Sequence, residues 1–388
     1  MAEIASDRGH ILSVDDAGKY ADLLKSGCLN LHFQPIVNLR SGEVKGIEAL
    51  GRLSDRGRLV PPGIFLQHFG ITELRELLFQ SLDQGLSALE HCRATHPDLC
   101  LSLNVDPTLF LEHGFASAFL ARLSPGDPSR ITIEILESGE FLDTDLACSQ
   151  IAILRTTGIR IALDDVGSAY SSLMRLRTLP VDAIKLDQAF VRELHRQPED
   201  LVFVSSMMSM ARGLKKTLVV EGVETPDILD AVRVLGVEMA QGYAIAKPMP
   251  VTTLTSWLGV HTPKFATSQP HSLLGAYAAH LCLVEACRAM SNQPLRSTWM
   301  TGAENPHACL IGKFFDEQEW HDTDLGLAHK HLHTILPFYH EQQTVWDEAA
   351  EDFRDELDKA IQQDILSPKQ AKHAILNMSG CGCSQQRT

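Results

Sequence analysis

The chain has 388 residues, 44% hydrophobic and 21% charged, which excludes a disordered polypeptide and fits two to three domains or a single long barrel-type domain. Its 34 basic and 49 acidic residues give a formal charge of −15, which argues against a nucleic-acid polymer as partner. The same surplus requires metal ions beside any phosphate-bearing substrate.

From Leu31 onward, short apolar runs alternate with longer helix-like stretches: LHFQPIV, VKGIEAL, CLSLNV, ITIEIL, RIALDD, DAIKLD, LVVEGV and MAQGYA. This rhythm predicts β/α units, and eight runs in about 240 residues predict a closed α/β barrel. The first two runs are joined by only LRSGEV, too short for a crossover helix, so they pair antiparallel. No G-x-G-x-x-G follows any strand, which disfavours an open dinucleotide-binding sheet.

Polar residues mark the carboxyl end of nearly every run: Glu48, Asn104, Glu134, the pair Asp164-Asp165, Lys185, Glu221 and Gln241. A barrel gathers such side chains at one mouth. Crowded carboxylates repel one another unless cations lie between them, and oxygen donors select hard ions such as Mg or Mn. The adjacent aspartates suit a bridge between two metals, the arrangement used for phosphoester hydrolysis.

Residues 259–271, within GVHTPKFATSQPHS, form a linker poor in large apolar residues. Beyond it the rhythm turns helical, through LLGAYAAHLCLVEACRAM, LGLAHKHLHTIL and EQQTVWDEAAEDFRDELDKAIQQ, and predicts an all-α bundle. A last helix follows Ser367 as N-cap and Pro368 at its first position. Residues 271–388 carry nine of the 17 histidines and five of the nine cysteines. His329 and His333, four apart, share a helix face, while His331 points elsewhere. With His280 and Cys309, three imidazoles and a thiolate make a chemically sound tetrahedral zinc set, although a packed core or a solvated histidine face would read similarly. The tail pair Cys381 and Cys383 reads as an unstructured end or an added thiol site.

No run of ~18 apolar residues occurs, so no membrane insertion is expected. The opening MAEIASDRGH lacks a signal pattern, and a cytoplasmic protein with reduced cysteines is expected.

The stretches FQPIV, GIEALGRL, LSLNVDP, ITIEILES, LDDVGSAYSSL, AIKLD, VVEGVET and QGYAIAKPMP closely resemble the EAL domain, with the signature at Glu48-Ala49-Leu50. The resemblance covers residues 20–258 and implies a barrel phosphodiesterase that opens cyclic di-GMP to linear pGpG. It implies Glu48, Asn104, Glu134 and Asp164 as ligands of a first metal, and Asp165 with Asp164 at a second. Lys185 would hold the attacking water or the phosphate, with Glu221 as base or metal-linked carboxylate. Gln34, Arg52 and Gln241 would contact substrate or order the site, and Glu137 would support the loop after the fifth barrel strand. Departures lie in that loop, where Val166 and Ala169 replace Phe and Gly, and at Asp106, where Ser is usual.

The pattern AHLCLVEA, CLIGKFF and HKHLH resembles the chemoreceptor zinc-binding domain, with Phe314 in the usual place of Trp. This implies His280, Cys309, His329 and His333 as zinc ligands, with His307 and His340 as runners-up, in a bundle spanning 272–380. The two resemblances together imply a zinc- or thiol-regulated phosphodiesterase acting as a homodimer. A cyclic di-GMP receptor without turnover and a zinc-controlled scaffold are the alternatives.

Overall fold

The computed structural model describes residues 14–136, 144–167, 176, 179–261, 269–290, 305–336 and 342–366. Glu137, Ala169, His340, the helix expected after Ser367, and Cys381 and Cys383 lie outside the described residues.

Among the described residues nine strands form one sheet: β1 Leu29–Asn38, β2 Val44–Asp55, β3 Arg58–Val60, β4 Cys100–Val105, β5 Ile131–Leu136, β6 Arg160–Val166, β7 Ala183–Leu186, β8 Thr217–Val220 and β9 Met239–Ala240. Neighbours follow the order β1-β9-β8-β7-β6-β5-β4-β2-β3, and the added pairing of β1 with β2 closes an eight-stranded barrel. Pairings from β2 to β4 and onward through β9 are parallel, whereas β1 runs antiparallel to both its neighbours. The α/β barrel with one reversed strand is thus as the sequence predicts. The addition is β3, which pairs with β2 at the end of the strand order. Arg56 and Gly57 both take positive φ, 48° and 82°, as a two-residue hairpin turn requires.

Helices α1 Val14–Lys25, α2 Pro62–Phe65, α3 Ile71–Cys92, α4 Phe115–Leu120, α5 Asp145–Thr156, α6 Leu201–Gly213, α7 Pro226–Leu235 and α8 Val251–Val260 accompany these strands. The C-terminal helices are α9 Leu273–Met290, α10 Leu310–Gln318, α11 Asp324–Ile335 and α12 Gln343–Leu366. The chain divides into two compact units. One comprises Met1–Gln188, Met210–Gly222 and Glu238–Phe265; the other comprises Ala189–Ser209, Val223–Val237 and Ala266–Thr388.

In the second unit α9 packs along α7, and α12 packs on α9 and α11. Trp346, Ala349, Ala350, Phe353, Leu357 and Ile361 bury one stripe of α12 at helical spacing, leaving Glu348, Glu351, Asp352 and Asp355 outward. Asp230 anchors α7 to the start of α9: it accepts hydrogen bonds from His271 N and Ser272 Oγ, both at 2.8 Å, and pairs with Arg233 at 2.5 Å. Gly275 is required there, because a Cβ would fall on Asp230 Oδ2.

Candidate active site and metal centre

The strands deliver the barrel side chains in register. Gln34 lies opposite Glu48 on β1 and β2, and Asn104 lies beside Glu134 on β4 and β5. Asp164 and Asp165 stand near the end of β6 and Lys185 on β7. Glu221 and Gln241 sit one residue beyond β8 and β9, still held by main-chain bonds from Glu221 N to Leu186 O (3.4 Å) and Gln241 N to Val220 O (2.9 Å).

Lys185 is the hub. Its ammonium, 2% exposed, lies 2.6 Å from Glu221, 2.8 Å from Glu134, and 3.3 Å from both Glu48 and Asp164. Glu48 also accepts from Asn104 Nδ2 and Gln241 Nε2, each at 2.7 Å, and Gln241 Nε2 reaches Gln34 Oε1 at 3.0 Å. Gln34 is itself tied to Ala246 O at 3.1 Å. Arg52 is half-buried and donates to Gly51 O of its own strand, so it lies at the edge of this network.

Four carboxylates thus face one ammonium, with Asp165 beside them, and their protonation reflects that imbalance. Burial opposes the charge of Glu48, but Lys185, Gln241 and Asn104 outweigh it and hold its pKa below the ordinary value. Burial drives Glu134 well above the usual range, against the pull of Lys185. Asp165 is pushed up to about 6 by burial and then by Asp164 and Asp187. Glu221 rises to about 7 through burial, against the pull of Lys185. Asp187, just past β7, is a carboxylate the sequence reading did not single out, and its field helps to raise Asp165.

Ligand oxygens of Asp164, Asp165 and Glu221 lie within 4.8 Å of one another. Asp164 Oδ1 is buried with the Lys185 ammonium 3.3 Å away, and Asp165 holds a left-handed φ of 55°, costly for a residue with a Cβ. A buried carboxylate oxygen that shares one ammonium with three other carboxylates fits a divalent cation. Val166, beside this pair, is fully buried.

The helical unit builds a different cluster. Cys309 caps α10, its Sγ accepting from Gly312 N at 3.1 Å. That sulfur lies 3.2 Å from His329 Nε2, which in turn lies 3.2 Å from His333 Nε2. The Cys-x-x-Gly spacing has a steric reason, since a Cβ at position 312 would fall on Pro306 O. The three ligand atoms lie within 4.8 Å of one another. His331 is exposed, as its helical phase requires.

His280 is not part of that convergent trio. It is 1% exposed, with Nδ1 lacking a hydrogen-bond partner, and its ring packs edge-on against Phe353, which His329 also touches. Burial lowers His280 to about 4 and His329 to about 3, so both are neutral imidazoles ready to bind a cation. The runner-up His307 turns instead to Asp316, 2.7 Å away.

The EAL domain family model matches residues 17–248. The chain belongs to the EAL domain family. It is 34% identical over 231 residues to the cyclic di-GMP phosphodiesterase RocR of Pseudomonas aeruginosa, covering 58% of this chain and 59% of that protein. It is equally identical over 241 residues to a Caulobacter vibrioides protein described as an uncharacterized signaling protein, covering 61% of this chain but 29% of the relative. The chain therefore spans less than two thirds of either curated relative. Among solved structures, the MucR phosphodiesterase in complex with cyclic di-GMP is 30% identical with a TM-score of 0.53, covering 62% of this chain and all of that one. No helix among the described residues is long and apolar enough to cross a membrane.

Proposed function

We propose that this EAL domain chain hydrolyses cyclic di-GMP to linear pGpG, and that zinc bound in the helical unit regulates it. The barrel of residues 20–258 carries the chemistry; the linker 259–271 leads to the regulatory bundle 272–380. The observation that supports the reading most is the buried Lys185 hub with its surrounding carboxylates, together with the cyclic di-GMP-bound relative of the same family.

Glu48, Asn104, Glu134, Asp164 and Asp165 would hold two Mg or Mn ions, which polarise a phosphodiester and acidify a bound water. Lys185 holds the water or a phosphate oxygen at its ammonium. Glu221, with a pKa near 7, is matched to accept the water's proton. Gln34, Arg52 and Gln241 orient the nucleotide, and Glu137 supports the neighbouring loop. Two copies act as a homodimer in the cytoplasm. Cys309, His329 and His333 would hold the zinc, with His280, buried beside Phe353, as the fourth donor of the set.

Incubating the protein with cyclic di-GMP and Mg or Mn tests the first half. Wild type yields pGpG, and Glu48→Ala gives none while keeping its fold by circular dichroism. Tight binding without product in the wild type makes the chain a receptor instead. For the second half, Cys309→Ala loses one zinc per chain by elemental analysis, and pGpG production changes when a chelator too weak to strip Mg removes zinc from the wild type.

A further inference from the structure

We infer that His307, Asp316 and His321 form a second metal site in the helical unit, separate from the Cys309 cluster and suited to a borderline divalent ion such as zinc. His307 Nδ1 lies 2.7 Å and His321 Nε2 2.6 Å from the same oxygen, Asp316 Oδ1, and the two rings stand 4.0 Å apart. The three ligand atoms fall within 4.8 Å of one another.

The convergence is built by the backbone on both sides of α10. Ahead of the helix, Asn305 accepts from His307 N through its side chain and from Ala308 N through its main chain, each at 3.0 Å, which turns the His307 ring toward the helix flank. Behind it, Glu319 takes a left-handed φ of 59°, and Trp320 N bonds back to Phe315 O at 3.0 Å. That reversal lays His321 beside Asp316. The His321 side chain is 14% exposed, and its far nitrogen, Nδ1, is buried without a hydrogen-bond partner. Only the nitrogen facing Asp316 therefore has a partner to offer or to exchange.

Two imidazoles and a carboxylate suit zinc, cobalt or nickel better than the hard ions expected at the barrel mouth. Three protein ligands leave at least one coordination position open, and His307 and Asp316 are about half exposed, so water completes the shell. Binding exchanges the two N–H···O contacts for three bonds to the ion. It also ties the segment before α10 to the segment after it, with Cys309 held between them.

Zinc bound per full-length chain, measured after dialysis in excess Mg, tests this independently of the proposed Cys309 site. His321→Ala and Asp316→Asn should each bind one ion fewer than wild type, and the Cys309→Ala/His321→Ala double variant one fewer than Cys309→Ala. Asp316→Asn preserves shape and an acceptor, so it guards against simple misfolding. Cobalt gives the second readout: Asp316→Asn should lose one equivalent while the thiolate-to-cobalt absorption stays at wild-type intensity. Wild-type metal content in both His321→Ala and Asp316→Asn overturns the proposal. So does a fall in the thiolate absorption in Asp316→Asn, because these residues would then only buttress Cys309.

Discussion

The barrel mouth and the Cys309 cluster are both buried and rich in metal-ligating atoms, but they reach that state by opposite electrostatics. At the mouth, four carboxylates crowd one ammonium, and protons partly make up the deficit of positive charge. In the helical unit, burial strips charge from the imidazoles and raises the Cys309 thiol, leaving neutral donors in an apolar setting. The first arrangement invites hard ions by field strength; the second invites softer ones by lone pairs.

The sharpest break of this comparison is Lys185→Met. Removing the ammonium leaves buried carboxylates uncompensated and should cost about 3–5 kcal/mol of stability as well as turnover, read from the urea midpoint in metal-free buffer. Added Mg should recover part of that loss, and an unchanged midpoint would sink the hub's structural role. In the helical unit the matching change is Gly312→Ala, which forces the Pro306 carbonyl away from α10 and should cost about 1–3 kcal/mol. Because Cys309 caps that helix, zinc affinity should fall in the same variant.

The smallest effect is a difference in proton release. Asp165 near 6 must lose its proton to bind a cation, and Glu221 near 7 adds negative field beside it on ionising, so Mg or Mn affinity at the mouth should climb from pH 5.5 to 7.5. Over that range His280 and His329 are already neutral, and zinc uptake should release a proton from Cys309 but none from these rings. Calorimetry in buffers of different ionisation heat separates the two; equal proton release at both sites would contradict the distinction.

Most of the mouth was legible because a parallel barrel puts chemistry at strand ends, and the β-branched runs declare the strands. Glu221 and Gln241 fell one residue beyond the strands expected to hold them, since β8 and β9 stop early while their main-chain bonding runs on. The hairpin strand β3 was missed because Arg56-Gly57 is not a turn pair that stands out in sequence. In the helical unit, the four-residue spacing of His329 and His333 was readable. Asp316 and His321 were not, because their meeting depends on Glu319 adopting a backbone conformation that glutamate rarely takes. Nor does composition reveal that α7, a barrel crossover by topology, packs with the C-terminal helices; the visible shift in sequence comes later, at the linker.

The Asp230 anchor bears on where this chain can be cut. A fragment ending at residue 258 would retain every barrel strand, yet Asp230 would lose His271 and Ser272 as donors, and α7 would lose α9. The face of α7 carrying Asp230 and Val234 meets α9 at Gly275 and Cys282, and a chain stripped of α9 leaves that buried face uncovered. The helices are therefore not an accessory that can be unscrewed at the linker. α7 and α9 belong to one compact unit, and an excision that keeps α7 must carry α9 with it or replace the buried side chains that α7 turns toward α9.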